Sequence, residues 1–376
     1  MKNLRVLSIF GTRPEAVKMA PVVLNLARTP GIDAKVCVTA QHRQMLDQVL
    51  NIFNIQPDVD LNLMRPNQGL AELTAEILTR LDPVLKDLHP DWVLIQGDTT
   101  TVMVTALLCY YNRIKMGHVE AGLRTGDKWQ PFPEEINRKI AGVAADLHFA
   151  PTEHSRQNLL REGVPDEQII VTGNPAIDAL QMIVQRPAPP EVGQLFADHD
   201  IGPEKKGLVL ITAHRRENFG KPLENICTAI RLLAEQYADR LHFVWPVHLN
   251  PNVQEPAHRL LDQVSNVTLL PPADYLPMVH LQRHATLVLT DSGGIQEEAT
   301  GLGVPTLVMR EVTERPEGVE AGVLKLVGTE TERIVGEAQR LLENPEVYQT
   351  MAHAANPFGD GHAAERITQA LLKHHD

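Results

Sequence analysis

The chain has 376 residues, of which 43% are hydrophobic and 22% are charged, and its formal net charge is −12. These proportions are typical of a soluble globular protein, and the length favours two domains. The acidic balance argues against nonspecific nucleic-acid binding, although a local pocket can still be basic and take an anionic small substrate.

Export and membrane insertion are not expected. The apolar run at residues 6–10 is too short for a signal peptide, and no stretch approaches the roughly 20 apolar residues that a membrane span needs. The three cysteines are Cys37, Cys109 and Cys227, far apart and without CxxC spacing. An odd number of scattered cysteines argues against a disulfide framework and predicts a cytoplasmic protein.

Short apolar runs alternate with longer amphipathic segments along the first half of the chain. Helical patterns such as residues 14–28 and 41–53 follow the runs. Repeated strand–helix units of this size predict a parallel sheet with helices on both faces. The predicted strands are residues 5–10, 34–39, 92–96, 116–120 and 147–150.

The alternation stops between residues 186 and 206, where proline and glycine accumulate, and then restarts. We interpret this segment as inter-domain. The predicted strands of the second half are residues 208–212, 241–246, 267–270, 286–290 and 306–309.

The domain prediction follows from this break. We expect a first Rossmann-like domain at residues 1–185 and a second one at residues 186–359. A helix predicted over residues 363–373, within the segment 360–376, would return to complete the first domain. The predicted fold class is α/β, with two Rossmann-like doubly wound domains facing a cleft where the strands end.

The first polar motif follows the first strand and opens a helix. Arg13 and Lys18 lie near that helix amino terminus, where free N–H groups and two cations suit a phosphate. The alternative is two solvated surface cations on an ordinary helix start. The motif is not GxGxxG, so a nicotinamide site is not indicated.

Three carboxylates occupy comparable positions in the first half. Asp98 follows one predicted strand, Glu120 ends the next, and Glu134 opens a helix after two prolines. Taken singly, each has a structural explanation as a helix cap, a surface ion pair or a partner of the helix dipole. Together they would converge on one edge of the sheet, where neighbouring carboxylates can divide acid and base roles.

The second half of the chain also has polar residues and glycines directly after its predicted strands. His214 follows the first restarted strand, and Ser292, Gly293 and Gly294 follow the strand at 286–290. The serine and the two glycines let the backbone approach an anion at a helix start. The alternatives are a structural histidine and a common helix entry.

Two further residues extend this predicted binding edge. Glu298 lies one turn into the same helix, placed to accept hydrogen bonds from ribose hydroxyls, and Arg315 is a loop cation after the next strand. The alternative for Arg315 is a surface turn. The chain has no HExxH spacing and no DxD pair at the end of a predicted strand, so no metal and no cofactor are expected.

The motifs together resemble the bacterial non-hydrolysing UDP-N-acetylglucosamine 2-epimerases. The resemblance covers essentially the whole chain in order, and seven runs in sequence are highly specific. The runs are residues 11–16 (GTRPEA), 97–100 (GDTT), 117–124 (GHVEAGLR), 133–138 (PEEINR), 214–217 (HRRE), 246–251 (PVHLNP) and 291–298 (DSGGIQEE).

The resemblance implies a glycosyltransferase-B-like fold, a homodimer, and an isomerase that needs neither metal nor nicotinamide. It implies reversible conversion of UDP-N-acetylglucosamine to UDP-N-acetylmannosamine for cell-surface polysaccharide synthesis. In the family, UDP leaves by anti elimination to give 2-acetamidoglucal, and then adds back with the proton on the opposite face of C2. The partners expected are therefore UDP-N-acetylglucosamine and UDP.

The resemblance also implies roles for individual residues. Asp98, Glu120 and Glu134 correspond to acid–base carboxylates, and Lys18 and His214 to catalytic or phosphate-side partners; Lys18, Asp98, Glu120 and His214 also count as substrate-binding. The UDP-binding positions are Arg13, Ser292, Gly293, Gly294, Glu298 and Arg315.

The sequence departs from the family pattern at two places. Met278 stands where members usually have an aromatic residue beside the uracil, so an altered contact is expected. Many members also bind substrate at a second, allosteric site, which Gln41, Gln44, Arg215 and His248 resemble. Asn67 replaces a basic residue often found there.

Three other functions fit parts of the sequence. A nucleotide-sugar-dependent glycosyltransferase of the same fold would need an acceptor groove, which the three carboxylates do not predict. A hydrolysing epimerase would release free N-acetylmannosamine and UDP. A non-catalytic nucleotide-sugar sensor would have no use for the carboxylates and His214.

Overall fold

The structure is a computed structural model that describes residues 3–40, 43–63, 65 and 68–374, with the backbone alone of Gln44. The chain divides into two compact units, described separately below. Unit 1 comprises Met1–Ala179 and Phe358–Asp376, and unit 2 comprises Leu180–Pro357. The division falls six residues before the predicted boundary at 185, and the C-terminal segment lies in unit 1.

Unit 1 contains a seven-stranded parallel sheet in the order β3-β2-β1-β4-β5-β6-β7. Strand β4 is buried along its whole length, which explains its continuous apolar sequence. The strands are β1 (Leu4–Phe10), β2 (Ile32–Val38), β3 (Val59–Asp60), β4 (Trp92–Gln96), β5 (Lys115–Val119), β6 (Leu147–Ala150) and β7 (Ile169–Val171).

Helices connect these strands and cover the sheet. The C-terminal helix bonds to the first helix through the Asn25 side-chain amide, which donates to Thr368 Oγ1 at 2.8 Å. The helices are α1 (Arg13–Arg28), α2 (Arg43–Phe53), α3 (Leu70–Leu88), α4 (Thr100–Asn112), α5 (Glu134–Ala144), α6 (Glu153–Arg161) and α7 (Pro175–Val184), with α16 (Ala363–Lys373) at the end of the chain. The division between the units falls within α7.

Unit 2 contains a six-stranded parallel sheet in the order β10-β9-β8-β11-β12-β13. Its apolar core includes Trp245 and Phe243, both fully buried. The strands are β8 (Gly207–Thr212), β9 (Leu241–Pro246), β10 (Val267–Leu270), β11 (Ala285–Thr290), β12 (Thr306–Val308) and β13 (Leu324–Leu326). The helices are α8 (Pro190–Asp198), α9 (Lys221–Gln236), α10 (Pro251–Leu261), α11 (Tyr275–His284), α12 (Gly293–Gly301), α13 (Pro316–Glu320), α14 (Thr331–Glu343) and α15 (Pro345–Ala352).

The predicted strands all exist, and the predicted C-terminal helix has the expected bounds. The sequence did not predict β3, β7 and β13, which have only two or three residues each. It also missed α8, which occupies the segment interpreted as inter-domain and packs Val192 into the core of unit 2. Within the described residues, no helix is long and apolar enough to cross a membrane.

Candidate active site

The candidate site residues of unit 1 lie where β1, β4 and β5 end. All strands of this sheet are parallel, so their carboxyl ends share one edge. The strand order reverses direction between β1 and β4, which is where ligands bind in open α/β sheets.

The turn after β1 is built around the buried carboxylate of Glu15. Thr12 caps α1 and forms a reciprocal capping box with Glu15. Glu15 Oε2 accepts from the N–H groups of Gly11 and Thr12 at 2.9 and 2.7 Å, and Oε1 accepts from Thr99 Oγ1 at 2.7 Å. Burial raises the pKa of Glu15, and these hydrogen bonds oppose the rise. Glu15 therefore joins the loops after β1 and β4 and presents half-buried Arg13 beside them.

Glu120 follows β5 in a left-handed backbone conformation, with φ of 62°, and its side chain is almost fully buried. Its carboxylate accepts hydrogen bonds from Lys18 Nζ and Gln96 Nε2, and from Asn174 Nδ2 at 2.9 Å. These three groups are donors only, so they favour the charged form of Glu120. Lys18 and Glu120 therefore meet as an ion pair in unit 1.

Asp98 lies just beyond β4 and contacts α5. Its Oδ2 accepts from Arg138 Nε at 2.9 Å and pairs with Arg138 Nη2 at 2.7 Å. Its backbone carbonyl accepts from Asn137 Nδ2 at 2.9 Å. One turn of α5 thus holds both the side chain and the main chain of Asp98.

Glu134 is the half-buried first residue of α5. Two cis peptide bonds, before Pro131 and Pro133, shape the loop that leads to it. Because Asn137 and Arg138 of the same helix bond to Asp98, the amino-terminal part of α5 lies at the same sheet edge as Asp98. The acid–base roles of Asp98, Glu120 and Glu134 stay predictions.

The corresponding edge of unit 2 is organised by Asp291, which follows β11 and is fully buried. Its Oδ2 accepts from the N–H groups of His214 and Arg215, both at 2.8 Å, and from Asn218 Nδ2 at 3.0 Å. Asp291 Oδ1 lies 3.7 Å from His214 Nδ1. Asp291 therefore fixes the loop after β8 and orients His214.

Helix α12 begins beside a buried cation. Ser292 is its N-cap residue, and its N–H donates to Thr290 Oγ1 at 2.9 Å. Arg315 Nε donates to Glu297 Oε1 at 2.6 Å, which holds the guanidinium against Gly293. A Cβ atom on Gly293 would lie 2.7 Å from Arg315 Nη1, so this close approach requires glycine. The helix terminus therefore combines backbone N–H groups with a guanidinium, a combination that suits an anion.

The other predicted binding residues of unit 2 lie along α11 and α12. Glu298 Oε2 accepts from Gln282 Nε2 at 2.9 Å. Half-buried Met278 packs against the apolar cluster that includes Ile295. The buried hydroxyl of Tyr275 and Gln282 Oε1 have no hydrogen-bond partner among the described residues. Gly294 has open space around it.

The predicted allosteric residues are only partly described. The His214 and His248 rings stack with centroids 5.5 Å apart, and Arg215 precedes the short 3-10 helix at Arg216–Asn218. Gln41 and Asn67 lie outside the described residues, as does the side chain of Gln44. A regulatory role for this set stays a prediction.

The sequence did not predict the residues that form hydrogen bonds or ion pairs with the predicted site residues. These are Arg138 at Asp98, Gln96 and Asn174 at Glu120, Asp291 at His214, Glu297 at Arg315 and Gln282 at Glu298. Arg138 was detectable, since it ends the run at 133–138. In the part of the chain that the structure describes, no cluster of three or more histidine, cysteine or acidic residues could hold a metal ion.

Known proteins resemble the chain over its whole length. The profile of the UDP-N-acetylglucosamine 2-epimerase family matches residues 24–372. The UDP-N-acetylglucosamine 2-epimerase of Salmonella typhimurium is 55% identical over 370 residues, which are 98% of each chain.

Solved structures agree with this match. The crystal structure of the UDP-GlcNAc 2-epimerase from Neisseria meningitidis bound to UDP-GlcNAc has a TM-score of 0.91 and 49% identity, covering 99% of this chain and 100% of that one. The Methanocaldococcus jannaschii UDP-GlcNAc 2-epimerase in complex with UDP-GlcNAc and UDP has a TM-score of 0.81 and 33% identity, covering 98% and 100%. The predicted fold class of two Rossmann-like α/β domains, glycosyltransferase-B-like, is confirmed. The chain belongs to the UDP-N-acetylglucosamine 2-epimerase family, and the predicted enzyme class, an isomerase, is confirmed with it.

Proposed function

We propose that this enzyme interconverts UDP-N-acetylglucosamine and UDP-N-acetylmannosamine by inverting C2 of the sugar. The observation that carries the proposal is the full-length match to epimerases of this name, together with the donor-lined carboxylates at the edge of unit 1. The Neisseria relative, crystallised with UDP-GlcNAc, supports this choice of substrate.

The first step is an elimination. The C1–O bond breaks, and its electron pair leaves with the UDP oxygen. A carboxylate of unit 1 takes the C2 proton, and the C–H electron pair becomes the C1–C2 double bond of 2-acetamidoglucal. The C2 proton is not acidic, so C1–O cleavage runs ahead of proton transfer and positive charge builds at C1. Carboxylates such as Asp98 and Glu120 stabilise that charge.

The second step reverses the first on the other face of C2. The UDP oxygen attacks C1, the double bond supplies the electron pair for a new C2–H bond, and an acid delivers the proton. Inversion at C2 requires two proton-transferring groups on opposite faces. Asp98, Glu120 and Glu134 supply enough carboxyl groups for this, whereas a single carboxylate would return the starting isomer.

In this proposal, residues of unit 2 bind UDP, the leaving group. Arg315 and the amino terminus of α12 stabilise the diphosphate as it gains negative charge, with His214 as a further partner. Glu298 accepts hydrogen bonds from the ribose, and Met278 packs against the uracil.

The decisive experiment is incubation with UDP-N-acetylglucosamine alone in deuterated water, followed by NMR. We expect UDP-N-acetylmannosamine with deuterium at C2 and the sugar still linked to UDP. Free N-acetylmannosamine as the main product would indicate a hydrolysing epimerase, and absence of C2 exchange would contradict epimerisation altogether. Added NAD or EDTA should leave the rate unchanged.

We further propose a cytoplasmic homodimer that supplies cell-surface polysaccharide synthesis. The three cysteines are free and buried, which fits a reducing compartment. Tyr110 and Tyr111 of α4 and Val143 of α5 are exposed apolar residues that a second copy could cover. Sedimentation equilibrium tests the dimer, and a mass of 41.8 kDa, that of one chain, would contradict it.

A further inference from the structure

Arg138 connects two carboxylates near the start of α5. Two of its nitrogens, Nε and Nη2, contact the same oxygen of Asp98 at 2.9 and 2.7 Å. Its third, Nη1, donates to Glu135 Oε2 at 3.0 Å. The Arg138 side chain is 9% exposed and that of Glu135 is 1% exposed, so their ion pair is buried, whereas the Asp98 side chain is 26% exposed.

Glu135 holds the other end of this network. Its carboxylate also accepts from the backbone N–H groups of Thr125 at 3.2 Å and Gly126 at 3.2 Å. Burial lowers the pKa of Arg138, but Asp98 and Glu135 raise it more, so the guanidinium stays charged. The cation beside Asp98 is therefore fixed in place from both sides.

The arrangement leaves the two oxygens of Asp98 unequal. Oδ2 takes both contacts from Arg138, whereas Oδ1 takes no hydrogen bond from any described residue. Arg138 offers only donors and cannot be deprotonated in a protein, so a fixed positive charge lies against Oδ2 of Asp98. A carboxylate with one saturated oxygen and one open oxygen is suited to accept a proton at the open oxygen.

We propose that Arg138, held by Glu135, is a positioning residue that occupies Oδ2 of Asp98 and directs its Oδ1 to the C2 proton. This inference rests on the proposed function and deepens it, because it selects Asp98 as one of the groups that removes that proton. The step is the elimination written above: Oδ1 gains the proton, the C–H pair enters the double bond, and UDP departs with the C1–O pair.

A purely structural role for Arg138 would give different results. It would lower the folded fraction and the temperature of unfolding without changing how turnover depends on pH. A positioning role lowers kcat in the folded enzyme and changes its pH profile, because a carboxylate that has lost its cation is protonated at higher pH. It also leaves UDP binding intact, since that is assigned to other residues.

The test uses Arg138→Gln, Arg138→Lys and Arg138→Ala in the full-length enzyme. We expect kcat for UDP-N-acetylglucosamine to fall at least about tenfold in Arg138→Gln, with the acidic limb of the kcat profile moved to higher pH and the Kd for UDP within about twofold of wild type. The conservative Arg138→Lys should recover part of the rate. Guanidinium ion, added at non-denaturing concentration, should raise kcat of Arg138→Ala and leave wild type unchanged.

Two further variants complete the design. Glu135→Gln should also move the acidic limb of the kcat profile to higher pH, but by a smaller amount. This substitution weakens the contact that holds the Arg138 guanidinium and leaves the guanidinium itself in place. Arg5→Gln breaks another arginine–aspartate pair of unit 1, that with Asp91 at the amino end of β1 and β4, and should keep the wild-type profile. A melting curve for each variant establishes that it is folded.

The proposal fails if folded Arg138→Gln has the wild-type kcat and pH profile, or if guanidinium does not rescue Arg138→Ala while Arg138→Lys is no better than Arg138→Gln. The proposed function fails separately, if wild-type enzyme shows no C2 exchange with UDP-N-acetylglucosamine.

Discussion

The two sheet edges show how one topology can serve different chemistry. In both units the strand order reverses beside the first strand, between β1 and β4 in unit 1 and between β8 and β11 in unit 2. Unit 1 uses side-chain donors to hold the carboxylates of Asp98 and Glu120. In unit 2 the buried carboxylates of Asp291 and Glu297 hold backbone N–H groups and Arg315, a supporting role that Glu15 and Glu135 have in unit 1.

The donor-held carboxylates of unit 1 and the helix start beside Arg315 in unit 2 lead us to expect acid–base chemistry in unit 1 and anion binding in unit 2. A carboxylate surrounded by donors remains available as a charged group near a sugar, whereas carboxylates that hold N–H groups and a guanidinium leave an edge that attracts phosphate. If the separation is real, substitutions in unit 1 should change turnover and substitutions in unit 2 should change UDP affinity.

The largest expected effect is the loss of turnover in Glu120→Gln. The amide keeps the shape but removes the charge that Lys18 faces, so we expect kcat to fall about 100-fold or more, the usual scale for a lost acid–base group. Asp98→Asn and Glu134→Gln should do the same. Steady-state kinetics with calorimetric UDP binding is the measurement, and the Kd for UDP should stay within about twofold.

The matched control is Asp82→Asn, which removes a carboxylate of unit 1 that pairs with Lys86 on the surface of α3. It should keep the wild-type kcat. If the three site variants also stay near wild-type activity, the assignment of chemistry to unit 1 is wrong.

The second effect concerns stability at low pH. Unit 1 buries His148 in β6 beside the neighbouring strand's His118, and unit 2 buries His242 in β9. Burial, with smaller contributions from His118 and Arg124, lowers the pKa of His148 to about 3. As the pH falls below about 6.5, the unfolded chain binds a proton that the folded chain refuses until pH about 3, so the free energy of unfolding falls.

We therefore expect His148→Leu to lose less of its free energy of unfolding at low pH than wild type does. Between pH 8 and pH 5 the free energy of unfolding of the variant should fall by about 2 kcal/mol less than that of wild type. Urea unfolding at both pH values measures it, and His353→Leu, which changes an exposed histidine of unit 2, is the control. Parallel pH dependence in wild type and His148→Leu would contradict the prediction.

The third effect tests the anion site of unit 2. In Gly293→Ala the new methyl group would lie 2.7 Å from Arg315 Nη1, so the guanidinium must move away from the start of α12. We expect UDP affinity to fall about tenfold with little loss of stability, because the end of a flexible side chain can shift. Gly336→Ala, in α14 with open space around it, should bind UDP normally. Normal UDP affinity in Gly293→Ala would count against Arg315 as a phosphate ligand.

Much of the fold follows from the sequence, because buried parallel strands such as β4 and β9 are nearly continuous apolar runs. Polar residues that follow such runs must lie at one sheet edge, which explains why Asp98 and Glu120 could be found. The very short strands β3 and β13 could not be predicted, because they are defined by their pairing with a neighbouring strand and are too short to show a periodic pattern.

The partners of the site residues depend on tertiary structure. Arg138 meets Asp98 across 40 residues, and Asn174 meets Glu120 across 54. No local sequence pattern indicates either contact, because each depends on which strands lie side by side in the sheet. The sequence therefore identified the carboxylates, and the structure supplied the groups that donate hydrogen bonds to them.

The smallest effect should come from Met278→Phe, at the position where family members usually have an aromatic residue. Met278 packs on the apolar cluster beside α12 and is half-buried, so a ring can replace it without a large cavity or clash. A ring would add base stacking, which methionine provides only weakly, and we expect UDP to bind about threefold more tightly with kcat unchanged. Calorimetry with UDP measures the gain, and Met351→Phe, on the other apolar cluster of unit 2, is the control. If Met278→Phe binds UDP no better than wild type, α11 does not contact the uracil and unit 2 holds UDP through its diphosphate and ribose alone.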